Sequence, residues 1–227
     1  MYSEFEEKFN RISKATDLKN LILANKAILN QIPEISKIKE SIKEWLPSGL
    51  YTCLDPRSED CTRSEDCLKR CSWKYWQEHS FEVAHLMKSL AKVLNEDEEK
   101  WELAGLVHDF DYLHHPHHID TVESAHAHPV EICRWLFEKR VSYDVCLAVL
   151  EHAPHLRLTP SSKLSYGLIA CDEFSTMIGS NYSPRFSEPI DPAIARVFNS
   201  KVPRSKFVGF KRNDMESRFQ NALNNIS

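Results

Sequence analysis

His79, the adjacent pair His108 and Asp109, His128, His152 and Asp172 are the residues whose types could do chemistry together. Imidazole nitrogens and carboxylate oxygens, with no thiolate among them, suit a borderline divalent ion such as Mn, Fe, Co, Ni or Zn. Taken singly, each of the six is more often a hydrogen-bonded core residue than a ligand. What they have in common is a position on, or at the end of, an apolar helical stripe. One metal centre accounts for all six with a single assumption.

The elements that must position them can be read from spacing. Trp101 and Ala104 lie seven and four residues before His108, so the three share the inward face of one helix. Asp109 sits about 100° further round, and both side chains reach a single ion if the helix finishes there. His79 opens a second stripe with Val83, Leu86 and Leu90 on a helix expected from Trp73 to Leu94, while His85 is off that stripe and expected at the surface. Asn95 and Glu98 are expected to cap the His108 helix. His128 heads a stripe of Ile132, Trp135 and Leu136; Ser142 is the expected cap of the next helix, whose buried face Val145, Ala148 and Val149 is continued by His152. Leu168 and Ile169 place Asp172 on the buried side of a further helix. A carboxylate isolated there would take up a proton unless something positive neutralised it.

The composition frames this reading. With 227 residues, 42% of them hydrophobic, the chain can bury one sizeable core, and five glycines in all favour helices joined by short turns: an all-α protein. A net charge of -4 leaves no global footprint for nucleic acid or an anionic membrane. No apolar run approaches the roughly 20 residues of a membrane span, and Met1 to Glu7 is acidic and polar with no basic segment leading into an apolar one, so no secretory signal is visible and a cytoplasmic location is expected. Seven cysteines in a reducing compartment are expected as thiols or metal ligands.

Upstream of the six, Ser3 and Glu6 make a capping-box signature, and Asp17 can cap a helix carrying Leu18, Leu21, Ile22, Leu29 and Ile32. Pro33 restarts the chain into a short amphipathic helix with Ile35, Ile38, Ile42 and Trp45. Cys53, Cys61, Cys67 and Cys71 then fall in a polar linker. Their spacing matches no common zinc motif and leaves free thiols, a metal clip or disulfides open. His114, His115, His117 and His118 form a loop that could gate or bind an anion, or simply be solvated. Lys201, Arg204, Lys206, Lys211 and Arg212, with no acidic residue among them, could clamp phosphates or be a solvated face, and Ser183-Pro184-Arg185 could join the same rim.

In order and spacing, His79, the His108-Asp109 pair and Asp172 resemble the H...HD...D signature of the HD-domain superfamily of metal-dependent phosphohydrolases, over about residues 73 to 180. His128 and His152 sit where HD proteins with two metals place extra histidines. Ala104 to Tyr112 and Cys171-Asp172-Glu173-Phe174 further resemble a little-characterised bacterial branch of predicted HD hydrolases, which usually continues into a tail like Val197 to Arg212. The common His-Asp-Ile-Gly continuation is replaced by His108-Asp109-Phe110-Asp111, and no Gly-Tyr-Pro element follows, a departure from the cyclic-dinucleotide phosphodiesterases.

The resemblance implies a helical bundle; the N-terminal helices and the four-cysteine segment lie outside it, so residues 1–72 are expected as an N-terminal helical extension and Cys-containing linker and residues 73–227 as the metal-binding domain with its basic tail. It implies one or two divalent transition-metal ions, a small phosphorylated substrate such as a nucleotide, and hydrolysis by metal-activated water. Asp109 and Asp111 are the catalytic candidates, Asp111 for orienting the water or moving a proton. Two alternatives share the scaffold: a di-iron oxygenase, and a non-catalytic nucleotide- or metal-sensing module.

Overall fold

The computed structural model describes residues 15–44, 73–113, 128–178, 221, 222 and 224–226. They are all-α. Seven helices have bounds among them: α1 (Ala15–Ala24), α2 (Ile35–Glu44), α3 (Trp73–Leu94), α4 (Glu98–Val107), α5 (Val130–Glu138), α6 (Tyr143–His152) and α7 (Lys163–Ile178), and residues 221, 222 and 224–226 are helical as well. Short 3-10 turns follow α4 (Phe110–Leu113) and α6 (Pro154–Leu156). None of these helices is long and apolar enough to cross a membrane.

The middle of the bundle is α4, which packs against α3, α6 and α7. Every residue from Trp101 to Val107 is buried, so α4 has no solvent face along its last two turns. Two glycines permit this. A Cβ on Gly105 would lie 2.8 Å from the backbone of Ala84 on α3, and one on Gly167 of α7 would lie 2.3 Å from the Trp101 ring. Glu102, the one carboxylate in this stretch, is held at 2.7 Å by both Lys39 of α2 and Lys88 of α3. Those two cations keep its pKa below the ordinary carboxylate value despite the opposing effect of burial.

The helix boundaries differ from the sequence expectation at three places, each for a local reason. Asn95 closes α3 instead of capping α4. It adopts φ 56°, and the Glu96 N–H to Ala91 O and Asn95 N–H to Lys92 O bonds make a Schellman motif. Asp97 is the cap of α4, its side chain accepting from the Lys100 N–H at 3.0 Å. α1 stops at Ala24, not beyond Ile32, yet Leu29 remains fully buried because the following segment crosses the bundle. There Gln31 pairs with Val141 in an isolated bridge, and the carbonyls of Gln31 and Leu29 accept from the Ser142 and Tyr143 N–H groups at 2.8 and 2.9 Å. Ser142 does stand at the N-terminal boundary of α6, but its hydroxyl makes no cap bond; the Val145 N–H is taken instead by Ser142 O at 3.0 Å.

Leu18, Ile22, Leu29 and Ile38 belong to the same hydrophobic core as α3 to α7, joined by Ala222 and Ile226 near the C-terminus. α1 is tied to α6 by Lys19 and Glu151, 2.6 Å apart, with Glu151 also accepting from Ser161 and Ser165. Cys133, Cys146 and Cys171 are buried free thiols whose pKa burial raises. Cys53, Cys61, Cys67, Cys71, the four histidines between residues 114 and 118, Ser183-Pro184-Arg185, and Lys201, Arg204, Lys206, Lys211 and Arg212 lie outside the described residues.

Candidate metal centre

Two helix ends deliver the central residues. At a helix C-terminus the last carbonyls have no intrahelical partner, and a histidine placed there can cap one with its ring N–H. His108, immediately after α4, donates from Nδ1 to Gly105 O at 2.7 Å; His152, the last residue of α6, donates to Val149 O at 2.6 Å. A carbonyl can only accept, so in both rings the proton is on Nδ1 and, when neutral, Nε2 carries a lone pair pointing inward.

The other two imidazoles have the same polarity. Nδ1 of His128, which precedes α5, faces Asp111 Oδ1 at 2.7 Å, and a carboxylate also only accepts. Nδ1 of His79, on α3, meets Ser175 Oγ at 3.1 Å, and that hydroxyl donates onward to Glu82 Oε2 at 2.9 Å.

All four Nε2 atoms therefore turn towards one place, and Asp109 occupies it. Its Oδ2 lies 3.3 Å from His108 Nε2 and 3.5 Å from His79 Nε2. Its Oδ1 lies 3.4 Å from His152 Nε2 and 3.6 Å from His128 Nε2. Asp172 Oδ1, from α7, completes the first group at 3.2 Å from His79 Nε2 and 3.8 Å from His108 Nε2. The six residues thus form two groups that share Asp109: His79, His108, Asp109 and Asp172, and Asp109, His128 and His152. The side chains of five are 0 to 8% exposed and that of Asp172 is 20%, so solvent reaches the cluster at Asp172.

This arrangement is electrostatically incomplete by itself. Lone pairs of His79 and His108 face each other at 3.3 Å, and carboxylate oxygens close the rest of the ring. Such a set is repulsive unless a cation enters, and in the metal-free protein protons fill that role. Burial opposes a charged His108, yet Asp109 and Asp172 outweigh it and raise its pKa well above the imidazole value. Burial likewise works against ionised Asp109, while His108, His152 and His128 hold its pKa well below the ordinary range, and Asp172 is lowered in the same way by His108 and His79. His128 is raised by Asp111 against burial, whereas burial dominates at His152 and lowers it.

The donor atoms fit a divalent ion by spacing as well as by type. Ligand bonds of about 2.1 Å place neighbouring donors roughly 3.0 to 3.4 Å apart, close to the 3.2 to 3.8 Å separations within the first group.

Residues 76–177 match the family model described as the HD domain. This segment is an HD domain. Its bounds take in both groups and all but the outer ends of the helices from α3 to α7 that carry them. No curated protein and no solved structure matches the chain.

Three polar partners in the HD domain go unnoticed in a reading of spacing alone: Ser175 and Glu82 behind His79, and His155, whose Nε2 donates to His128 O at 3.0 Å. A signal for the first two exists. Glu82 stands three residues after His79 and Ser175 three after Asp172, one helical turn beyond each.

Proposed function

We propose that this protein is a metal-dependent phosphohydrolase that cleaves a small phosphate ester, a nucleotide being one candidate, with His79, His108, Asp109 and Asp172 holding one divalent ion and Asp109, His128 and His152 a second. The observation that carries the reading is the carboxylate of Asp109, each of whose oxygens faces two imidazole Nε2 atoms that present lone pairs when the rings are neutral. When bound, the ions would supply an acidified water and a positive field for the phosphoryl group.

The protein's own groups do the positioning. Gly105 O, Val149 O, Asp111 and Ser175 fix the four rings so that each presents Nε2. Asp111 is committed to His128 through Oδ1, while Oδ2 is buried and meets no partner among the described residues. That contact supports a role in orienting His128, with any proton movement through Asp111 passing by way of that ring. Solvent access at Asp172 marks the side from which water and substrate would enter. Lys201, Arg204, Lys206, Lys211 and Arg212 are proposed from charge alone to bind the phosphate.

Protein purified without chelator is expected to carry one to two ions per chain, and Asp109→Ala to lose them all because both groups use Asp109. Hydrolysis of a panel of phosphomonoesters, nucleotides and cyclic nucleotides with added Mn or Co then tests catalysis. Retention of metal by Asp109→Ala would remove the assignment. The same four histidines and two aspartates also suit two irons, and an oxygen-dependent change in absorption without ester hydrolysis would favour oxygenase chemistry instead.

A further inference from the structure

His79 differs from the other three imidazoles in what stands behind it. His108 and His152 use carbonyls and His128 a carboxylate, all groups that can only accept. His79 uses the hydroxyl of Ser175, which can donate or accept and so cannot by itself decide which nitrogen of His79 holds the proton.

Glu82 removes that ambiguity. With Ser175 Oγ–H committed to Glu82 Oε2 at 2.9 Å, only the hydroxyl oxygen is left for His79, and it must accept from Nδ1–H. Nε2 is then free to face Asp172 Oδ1 and Asp109 Oδ2. Without that commitment Ser175 could donate to Nδ1, the ring proton would move to Nε2, and the inward lone pair would be lost. The placement serves no evident packing purpose: Ser175 is buried, and Glu82 Oε1 is buried with no partner among the described residues, where an apolar side chain would cost less.

We propose that Glu82 and Ser175 are positioning residues that hold His79 in its Nδ1–H form and thereby set the metal affinity of the group formed by His79, His108, Asp109 and Asp172, without affecting the group formed by Asp109, His128 and His152. This rests on the metal-centre reading above. Partners of this kind behind a ligating histidine typically change metal affinity by about 10- to 100-fold.

The test is a competition titration of the full-length, metal-stripped protein with Zn²⁺ against a chromophoric chelator at pH 8, with circular dichroism checking that each variant is folded. Ser175→Ala and Glu82→Gln are expected to weaken one binding step by about 10- to 100-fold and to leave the other unchanged. Asp111→Asn should weaken the other step, and Ser175→Thr, which keeps the hydroxyl, should bind as the wild type does. If the wild type binds Zn²⁺ and the Ser175 and Glu82 variants bind it equally well, or lose affinity equally at every step, the positioning role is wrong and the metal centre stands. If the wild type binds none, the metal-centre reading fails and takes this inference with it.

Discussion

Replacing Gly105 with alanine tests whether the tight contact between α3 and α4 sets the geometry of the metal centre. The added Cβ would lie 2.8 Å from Ala84 Cα and N and 2.9 Å from Val83 C. Carbon atoms in contact sit about 3.5 Å apart or more, so the overlap is about 0.7 Å, and it is with backbone that cannot rotate away. Overpacking of this kind costs roughly 1–3 kcal/mol, against a gain of about 1 kcal/mol from alanine's helix propensity. A net loss of up to about 2 kcal/mol is expected in urea unfolding with chelator present. The effect on metal should be larger. α3 carries His79 and α4 leads into His108 and Asp109, and metal bonds tolerate only about 0.2 Å of displacement. A separation of about 0.7 Å exceeds that severalfold, so Zn²⁺ affinity should fall by at least about 10-fold. A Gly105→Ala protein that unfolds at the wild-type urea concentration and binds Zn²⁺ with wild-type affinity would refute the reasoning.

Asp111→Asn should lower metal affinity by about 10-fold, because the neutral amide holds the His128 Nδ1 proton less firmly; competition titration reads this, and wild-type affinity would mean the 2.7 Å contact is incidental. Burial raises the Glu82 pKa from 4.5 to about 7, so the folded metal-free protein holds that proton more tightly than the unfolded chain does. The resulting cost is absent below pH 4.5, grows as the pH rises, and is complete above about pH 7. Glu82→Gln should therefore gain stability relative to the wild type on going from pH 5 to pH 8, by on the order of 3 kcal/mol for a shift of this size. Urea unfolding at the two pH values in chelator checks this, and a pH-independent difference would contradict it.

The helices that carry the six residues were legible because the residues themselves sit in register with apolar neighbours. Val83, Leu86 and Leu90 after His79, and Ile132 and Leu136 after His128, are buried as the spacing requires. α4 was legible from Trp101 and Ala104 in register with His108, although in the fold Trp101 to Val107 are buried on every side. The caps were not legible. Asn95 and Asp97 are both good cap residues, and only the backbone hydrogen bonds reveal that one closes α3 and the other opens α4. Nor does any local signal tell that α6 begins on the carbonyls of Leu29 and Gln31, more than 100 residues earlier in the chain.

The cluster shows the same division. That His79, His108, Asp109, His128, His152 and Asp172 point inward follows from periodicity, but the splitting into two groups around Asp109 depends on which ring nitrogen is turned inward. That is decided by Gly105 O, Val149 O, Asp111 and, for His79, Ser175 with its hydroxyl proton held by Glu82, contacts that no spacing rule specifies. Asp111 illustrates the point: two residues past Asp109 it reads as a candidate for orienting the water or moving a proton, and only the fold brings His128 against it.

Anomalous diffraction from crystals grown with Mn²⁺ tests the central claim most directly. Two peaks are predicted, one among His79, His108, Asp109 and Asp172 and one among Asp109, His128 and His152, with Asp109 reaching both. Well-ordered density for these six side chains with no anomalous peak within about 2.3 Å of either Asp109 oxygen would contradict the account.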